Sequence, residues 1–498
     1  MGVVGGHVAA RMELGAFGVA LSVAMCGLVF PAAMSVARTP SRRGSILLGV
    51  VLASAILSGQ GYIQFGLLCT APAFLFLLLN DVRLDSIRRE YAVALGLAVL
   101  LAAPLLVPLV HFLPNFTKAG DVTFGIAQPL EYMPLNLVIR DFEFLTSSVL
   151  SKSPFPHLDA MYIGWVPVLL AMLCLKLARR EDRRLLLFLS TSAILSFLTA
   201  SATLLRWIQP VVPVLAWVRN PPQIAAVAVP PILALSAYGL DKLFEANWPH
   251  LGLSYRGSSG EQAKGISLRW LLVVPLIWNL SAVYGFARIW LYTTELREDV
   301  QQVLQALRTP ELQWVQTPFG EHFWIEPAVR MGLKLSPGIM TWQWKERSLP
   351  GPHLEASRLG PPTGGMQVDK VGDILIYRLE DHEYAFVRVD DDERVTCQAF
   401  GTAGDLLVEC SSPAEGRLIV HENNWTGWYA WRDGQRVSLL QDRWLSVDAP
   451  TGEHTYRFRY LPWDVPLGVL MSFLGIALCV WQWLCHPLSQ GRSLGQIN

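Results

Sequence analysis

Charge is what this chain has least of. Of its 498 residues only 16% are Asp, Glu, Lys or Arg, against about 25% in an ordinary soluble protein. Together with 52% apolar residues and a mean hydropathy of +0.35, that scarcity excludes a soluble enzyme, a disordered chain and a coiled coil. No strongly basic domain exists, which argues against nucleic acid as a partner. The seven cysteines form no CxxC pair and no zinc-like spacing, so the sequence offers neither a metal site nor a cofactor site. Cys26, Cys69, Cys174, Cys479 and Cys485 lie in or beside apolar runs, where a thiol acts as a small hydrophobe. The middles of those runs hold almost no ionisable residue, which speaks against an ion-coupled transporter.

What the chain has in quantity is apolar sequence in runs long enough to span a bilayer as helix. Spans are read near 14–37, 45–58, 62–79, 91–113, 160–177, 185–200, 223–240, 270–290 and 464–485. The second and third are separated only by Gly59, Gln60 and Gly61, so one long tilted helix is the alternative. A net charge of zero hides a split, with 22 Lys and Arg against 14 Asp and Glu in 1–290 and 18 against 26 in 291–498. With nine spans and an outside amino terminus, the short loops on one side carry 15 Lys and Arg against 6 on the other. The positive-inside rule then places the richer side in the cytoplasm. The expected organisation is a transmembrane domain at 1–290 with eight spans, an extracytoplasmic domain at 291–462, a last span at 463–485 and a cytoplasmic tail at 486–498. The segment Met1–His7 lacks the basic n-region of a signal peptide. The expectation is therefore a chain that begins partway through a longer polytopic protein.

The outer loops carry the polar chemistry. Loop 114–159 holds Asp121, Glu131, Arg140, Asp141, Glu143, His157 and Asp159, interleaved with Phe124, Tyr132, Pro134, Phe142, Phe155 and Pro156. Long connections are often functional, and the aromatic and proline residues point to a loop that packs. The loop at 201–222 ends in Trp217-Val218-Arg219-Asn220-Pro221-Pro222, where the prolines hold Arg219 at the mouth of the next span. An arginine there forks onto a phosphate; a flanking arginine also snorkels to the interface with no ligand at all. His111 reads as a satisfied interfacial histidine, and Gln64 and Asn279 as bonds between helices.

Residues 294–308 place Leu296, Val300, Val303, Leu304 and Leu307 on one helical stripe. Short alternating runs follow at 373–380, 384–390, 394–400, 405–410, 416–422, 428–432, 435–440, 443–448 and 453–460. Nine such strands predict an antiparallel β-sandwich, with Asp433-Gly434 as a two-residue hairpin turn. The acidic run Asp390-Asp391-Asp392-Glu393 reads as a turn. If Phe400 faces Asp405, Cys397 faces Val408, and a Cys397–Cys410 disulfide needs a slip or a bulge. The fold class is thus a helical polytopic membrane domain of about nine spans plus an extracytoplasmic β-sandwich.

The end of the domain carries Asn423-Asn424-Trp425-Thr426-Gly427-Trp428, then Asp433-Gly434, then Ala449-Pro450-Thr451-Gly452-Glu453-His454, and closes with Phe458-Arg459-Tyr460-Leu461-Pro462 before the last span. This segment resembles the YfhO-like bacterial membrane proteins and related glycosyltransferases of the GT-C type. The spans resemble them too, at Tyr162-Ile163-Gly164-Trp165-Val166-Pro167 and at Val218-Arg219-Asn220-Pro221. The resemblance implies a protein of the bacterial plasma membrane that takes a sugar from a polyprenyl-phosphate carrier and transfers it to an extracytoplasmic glycan or protein acceptor. The family's carboxylate lies in the first outer loop, where this chain offers only Glu13. The remaining catalytic candidates are Asp121, Glu131, Asp141 and Asp159, with Arg219, Arg140 and His157 as substrate-binding candidates. The alternative is a non-catalytic membrane protein whose β-domain binds glycans or an envelope partner.

Overall fold

A computed structural model describes residues 17–59, 61–78, 84–118, 128–140, 161–177, 179, 182–212, 215, 218, 221–245, 250–251, 266–267, 271–290, 298–317, 328, 331–335, 342–344, 353–357, 362, 365–379, 383–389, 393–402 and 404–485. The chain divides into two compact units, one of residues 1–105, 120–293 and 470–498, the other of 106–119 and 294–469. The helices in chain order are α1 (Phe17–Arg38), α2 (Arg42–Leu57), α3 (Gly61–Cys69), α4 (Leu75–Leu78), α5 (Leu84–Leu101), α6 (Ala103–Phe112), α7 (Trp165–Leu177), α8 (Arg183–Ala200), α9 (Thr203–Ile208), α10 (Val229–Glu245), α11 (Val273–Trp290), α12 (Glu298–Ala306) and α13 (Asp464–Cys485).

Among the described residues, five helical stretches are long and apolar enough to cross a membrane: Gly18–Arg38, Gly61–Leu78, Arg183–Ala200, Pro221–Glu245 and Asp464–Cys485. The α5–α6 pair makes a sixth candidate, bent by 72° at the break between them. Pro104 follows that break, where its missing N–H and its ring interrupt the helical ladder. The 45–58 and 62–79 runs form separate helices, and Gln64 Nε2 reaches back to the Ala55 and Ile56 carbonyls at 2.8 and 2.7 Å. Large apolar side chains such as Leu68, Met172, Trp278, Leu470 and Phe473 stand exposed on these helices, as lipid-facing residues do. Hydroxyls inside the apolar runs bond back along their own helix, as Ser192 and Ser196 do to the Phe188 and Ser192 carbonyls. Small residues let helices close: a Cβ on Gly239 of α10 would lie 2.3 Å from the Leu170 carbonyl of α7. The span predicted to start at Gln223 instead opens with an eight-residue 3-10 run, Pro221–Ala228, every residue of it buried.

The strands are β1 (Phe116–Lys118), β2 (His250–Leu251), β3 (Ile266–Ser267), β4 (Trp314–Gln316), β5 (Lys334–Leu335), β6 (Trp342–Trp344), β7 (Leu354–Ser357), β8 (Gly365–Val371), β9 (Ile374–Leu379), β10 (Ala385–Arg388), β11 (Arg394–Thr396), β12 (Gln398–Thr402), β13 (Asp405–Ser412), β14 (Gly416–Asn423), β15 (Trp428–Arg432), β16 (Gln435–Val437), β17 (Trp444–Ala449) and β18 (Gly452–Tyr460). Two antiparallel sheets, β11-β10-β14-β17 and β12-β13-β18-β15-β16, enclose one core in which Val387, Leu418, Val420 and Val447 meet Ala399, Leu406, Val408, Tyr456 and Phe458. Apolar residues alternate along β13 and β18, as a half-buried strand requires.

Three details differ from the nine-strand expectation. The strand expected at 373–380 belongs instead to a separate mixed sheet, β5-β4-β7-β9-β8, against which Val303 of α12 and Leu307 just after it pack. The run 394–400 is two strands, because the chain leaves one sheet at Thr396 and enters the other at Gln398. The β12–β13 hairpin pairs Thr402 with Asp405, not Phe400. Gly401 permits this tighter hairpin, since a Cβ there would strike the Asp405 carbonyl at 2.2 Å. The two-residue change in register sets Cys397 opposite Cys410, and the pair forms a disulfide with Cα atoms 4.7 Å apart.

Candidate functional site

Of the sequence candidates, Glu131 and Arg140 fall among the described residues, and both are exposed. Glu131 sits in the short 3-10 turn Leu130–Tyr132. Around it the chain does pack, with Met133, Leu137 and Val138 buried and the Asn136 amide donating to Gln128 Oε1 at 2.5 Å. The Leu137 carbonyl accepts from Ile163 and Gly164 N–H at 2.9 and 3.0 Å, tying this segment to the mouth of α7. Asn279 of α11 closes the same corner, donating to the Ile163 carbonyl at 3.0 Å and accepting from Val166 N–H at 3.3 Å. Glu13, Asp121, Asp141, His157, Asp159 and Arg219 lie outside the described residues.

The helices assemble a site that the charge pattern did not single out. A groove of about 550 Å3 runs between α1, α2, α3, α4 and α5, walled by Val29, Ala33, Leu48, Leu52, Ala55, Leu67, Phe74 and Leu78. Its volume lies in the range of about 300–1,000 Å3 usual for small-molecule sites. The walls are aliphatic and aromatic, and polar groups sit at the ends. Gln64 has its amide spent on α2 carbonyls. Arg88 and Tyr91, on the first turns of α5, also line the groove. The Tyr91 hydroxyl donates to the Ala33 carbonyl at 2.7 Å, which fixes α5 against α1. Beside them Glu90 is buried, accepts from the Ser45 hydroxyl and pairs with Arg42 at 3.4 Å. Arg88 remains two-thirds exposed, with Asp85 4.0 Å away as its ion-pair neighbour. Such an arrangement accommodates an apolar chain and offers a guanidinium to an anionic head. Behind the groove wall, Gly66 of α3 packs on Ile224 of the 3-10 run that follows Arg219.

In the other unit, the residues that carry the family resemblance are occupied in structure. Asp433 (φ 49°) and Gly434 (φ 80°) both take left-handed backbone, the geometry of a primed hairpin turn. Asp433 accepts from Thr455 N–H at 2.9 Å and lies 2.7 Å from His454 Nδ1. The Thr455 amide and then His454 hold its carboxyl below the usual carboxylate range. The Asn424 side chain bonds the Leu440 and Asp442 carbonyls at 3.0 and 3.3 Å, and Leu461 N–H donates to the Gly427 carbonyl at 2.7 Å. Asp464 opens α13 as a buried carboxylate 3.0 Å from His111 Nδ1, so His111 is satisfied. Lys334, Glu422 and the Tyr384 hydroxyl bond one another, and burial followed by the Glu422 charge pushes the Tyr384 phenol well up.

Compared with protein-family models, with curated proteins and with solved structures, the chain matches none of them.

Proposed function

We propose that the chain is a multi-pass protein of a bacterial plasma membrane that holds a phosphate-headed lipid in the α1–α5 groove. The groove carries this reading. A lipid tail moving into it from the bilayer gains no hydrophobic free energy, because both surroundings are equally apolar. Selection therefore rests on shape and on the polar end, where the Arg88 guanidinium suits a phosphate. A polyprenyl phosphate has both features, which accords with the lipid-linked sugar transferases that the sequence resembles. In that reaction a carboxylate of loop 114–159 takes the acceptor's proton. The Cys397–Cys410 disulfide supports an extracytoplasmic 291–462 domain, since such bonds persist in oxidising compartments.

One observation favours the second reading, a non-catalytic membrane protein. Arg88 lies within the Lys/Arg-rich segment 80–90, whereas Glu131 and Arg140 belong to the loop that the charge bias assigns to the opposite face. A phosphate held at Arg88 would then be an anchor rather than a reacting group. Mass spectrometry of lipids retained by the purified protein tests the groove. Polyprenyl phosphate or a related phosphate-headed lipid is expected, and its loss on Ala33→Trp with Ala55→Trp would assign it to the groove. Retention unchanged by those substitutions overturns the assignment. The lipid-linked sugar profile of cells with and without the gene tests the chemistry: a carrier-linked sugar that accumulates without it supports transfer, and an unchanged profile leaves the second reading.

A further inference from the structure

α8, one of the stretches long enough to cross a membrane, stops at Ala200. Hydroxyls fix the stop: Ser201 Oγ donates to the Leu198 carbonyl at 3.1 Å and hydrogen-bonds Thr203 Oγ1 at 2.9 Å. Between them the buried Ala202 takes left-handed backbone, with φ 60°. That conformation is unfavourable for a residue with a Cβ, so the packing around it holds the chain in a turn. α9 follows at Thr203, and Arg206 N–H donates to the Ala202 carbonyl at 2.9 Å. Leu205 is buried, and with Ala202 and Leu215 it forms a small core against which Phe65 of α3 packs. The opposite face is bare. Trp207 is 78% exposed and Val211 82%, with Arg206, Ile208 and Val212 exposed beside them.

A contiguous apolar patch of this kind marks contact with a protein partner or a membrane, and depth decides between them. The stretch Gly61–Leu78 has 18 residues, about the length needed to cross the hydrocarbon core. Phe65 lies four residues past its first residue, or about 6 Å along the helix axis. The α8–α9 corner packs at that level, so α9 is not lifted into water above the spans. Its six residues extend about 9 Å, and the headgroup zone of one leaflet is about 5–8 Å deep. The bare face therefore carries on from the lipid-facing side of α8, where Ile194 is exposed. A soluble partner would have to enter the headgroup zone to reach it. Tryptophan suits that zone because its ring is amphipathic, and a neighbouring arginine extends its guanidinium to the lipid phosphates. We propose that Thr203–Val212 is an interfacial lipid anchor, with Trp207, Ile208, Val211 and Val212 entering the acyl boundary and Arg206 meeting phospholipid phosphates. The anchor is separate from the α1–α5 groove and stands whether or not a lipid occupies that groove.

Power-saturation EPR on the full-length protein in phospholipid nanodiscs tests the anchor. A nitroxide is attached through Val211→Cys in a background of Cys69→Ser, Cys479→Ser and Cys485→Ser, which removes the free cysteines that are not buried. Oxygen, which concentrates in the bilayer, and a water-soluble nickel chelate serve as the two collision partners. Labels at Ile194→Cys, in the α8 span, and at Arg436→Cys, exposed in the β-domain, give the lipid and water limits. The oxygen-to-nickel collision ratio at position 211 is expected to fall between those limits, several-fold above the value at 436. A ratio equal to that at 436 places the face in water and overturns the proposal. Weak collision with both reagents means that protein covers the face, and overturns it equally. If Val211→Cys fails to fold, Ile208→Cys on the same face carries the identical test.

Discussion

Asp433 shows how one side chain can look functional and be structural. Its carboxylate joins the hairpin turn to the following 452–460 strand through Thr455 N–H and His454. Because these bonds depress its pKa, their stabilisation is fully present above the unfolded carboxylate value of about 3.9 and is lost as pH falls through the lower folded value. Asp433→Asn should therefore melt below the wild type at neutral pH, and the gap should narrow under acid. A gap that widens below about pH 4 would refute the linkage. Asp405 follows the same sign, because Arg457 grips it with bonds of 2.9 and 2.7 Å and lowers its pKa. Gly434→Val forces a β-branched residue into left-handed backbone and should cost about 1–2 kcal/mol in chemical denaturation. The Asp433-Gly434 turn was legible from sequence because its signal is local, two residues whose backbone preference matches one turn type. Arg88 and Tyr91 were not. The groove walls they complete lie on α1 and α2, about 40–60 residues away in sequence, and no local pattern announces such a groove.

At the scale of elements, the sequence revealed where strands lie and not which sheet they join. Alternation along β13 and β18 marks a half-buried strand but says nothing of its neighbour. The change of sheet between Thr396 and Gln398 leaves the hydrophobic period intact, so 394–400 reads as a single strand. The disulfide sits at that change and fastens Cys397, at the corner, to β13. Closing a loop of roughly 15 residues stabilises by about 3 kcal/mol, and the cysteines are separated by 13. The paired variant Cys397→Ser with Cys410→Ser should lower the stability of this unit by a similar amount. Adding reductant should bring the wild type to the variant's midpoint and leave the variant where it is. Among the helices, Gly239→Leu should separate α7 from α10, because even a Cβ meets the Leu170 carbonyl at 2.3 Å. Overpacking of this kind costs about 1–3 kcal/mol. It should appear as a lower thermal midpoint in detergent, with Gly285→Leu, whose Cβ meets nothing within 4 Å, as the control.

For the whole molecule, the informative quantity is the asymmetry of charge across the apolar runs. Loops at 38–45, 80–90, 176–184 and 241–269 concentrate Lys and Arg, and the loops between them do not. The positive-inside rule acts on short loops, and the proposed orientation of the spans and of the large 291–462 segment rests on it. A Cys397–Cys410 disulfide needs an oxidising compartment to persist, so the proposed orientation and the disulfide stand or fall together. The proposed placement predicts that protease added to intact spheroplasts cuts within 291–462 and spares 241–269. A thiol-specific, membrane-impermeant reagent should likewise label an exposed cysteine introduced at Arg436 in intact cells, and one introduced at Arg179 only after lysis. Arg179 belongs to the basic side of the charge pattern and Arg436 to the β-domain, so the two sites report on opposite faces in one experiment. Labelling of both before lysis would mean that the spans do not hold the orientation the charges assign. Labelling of position 179 alone would invert the protein, place the disulfide in a reducing compartment, and remove the β-domain from any extracytoplasmic glycan.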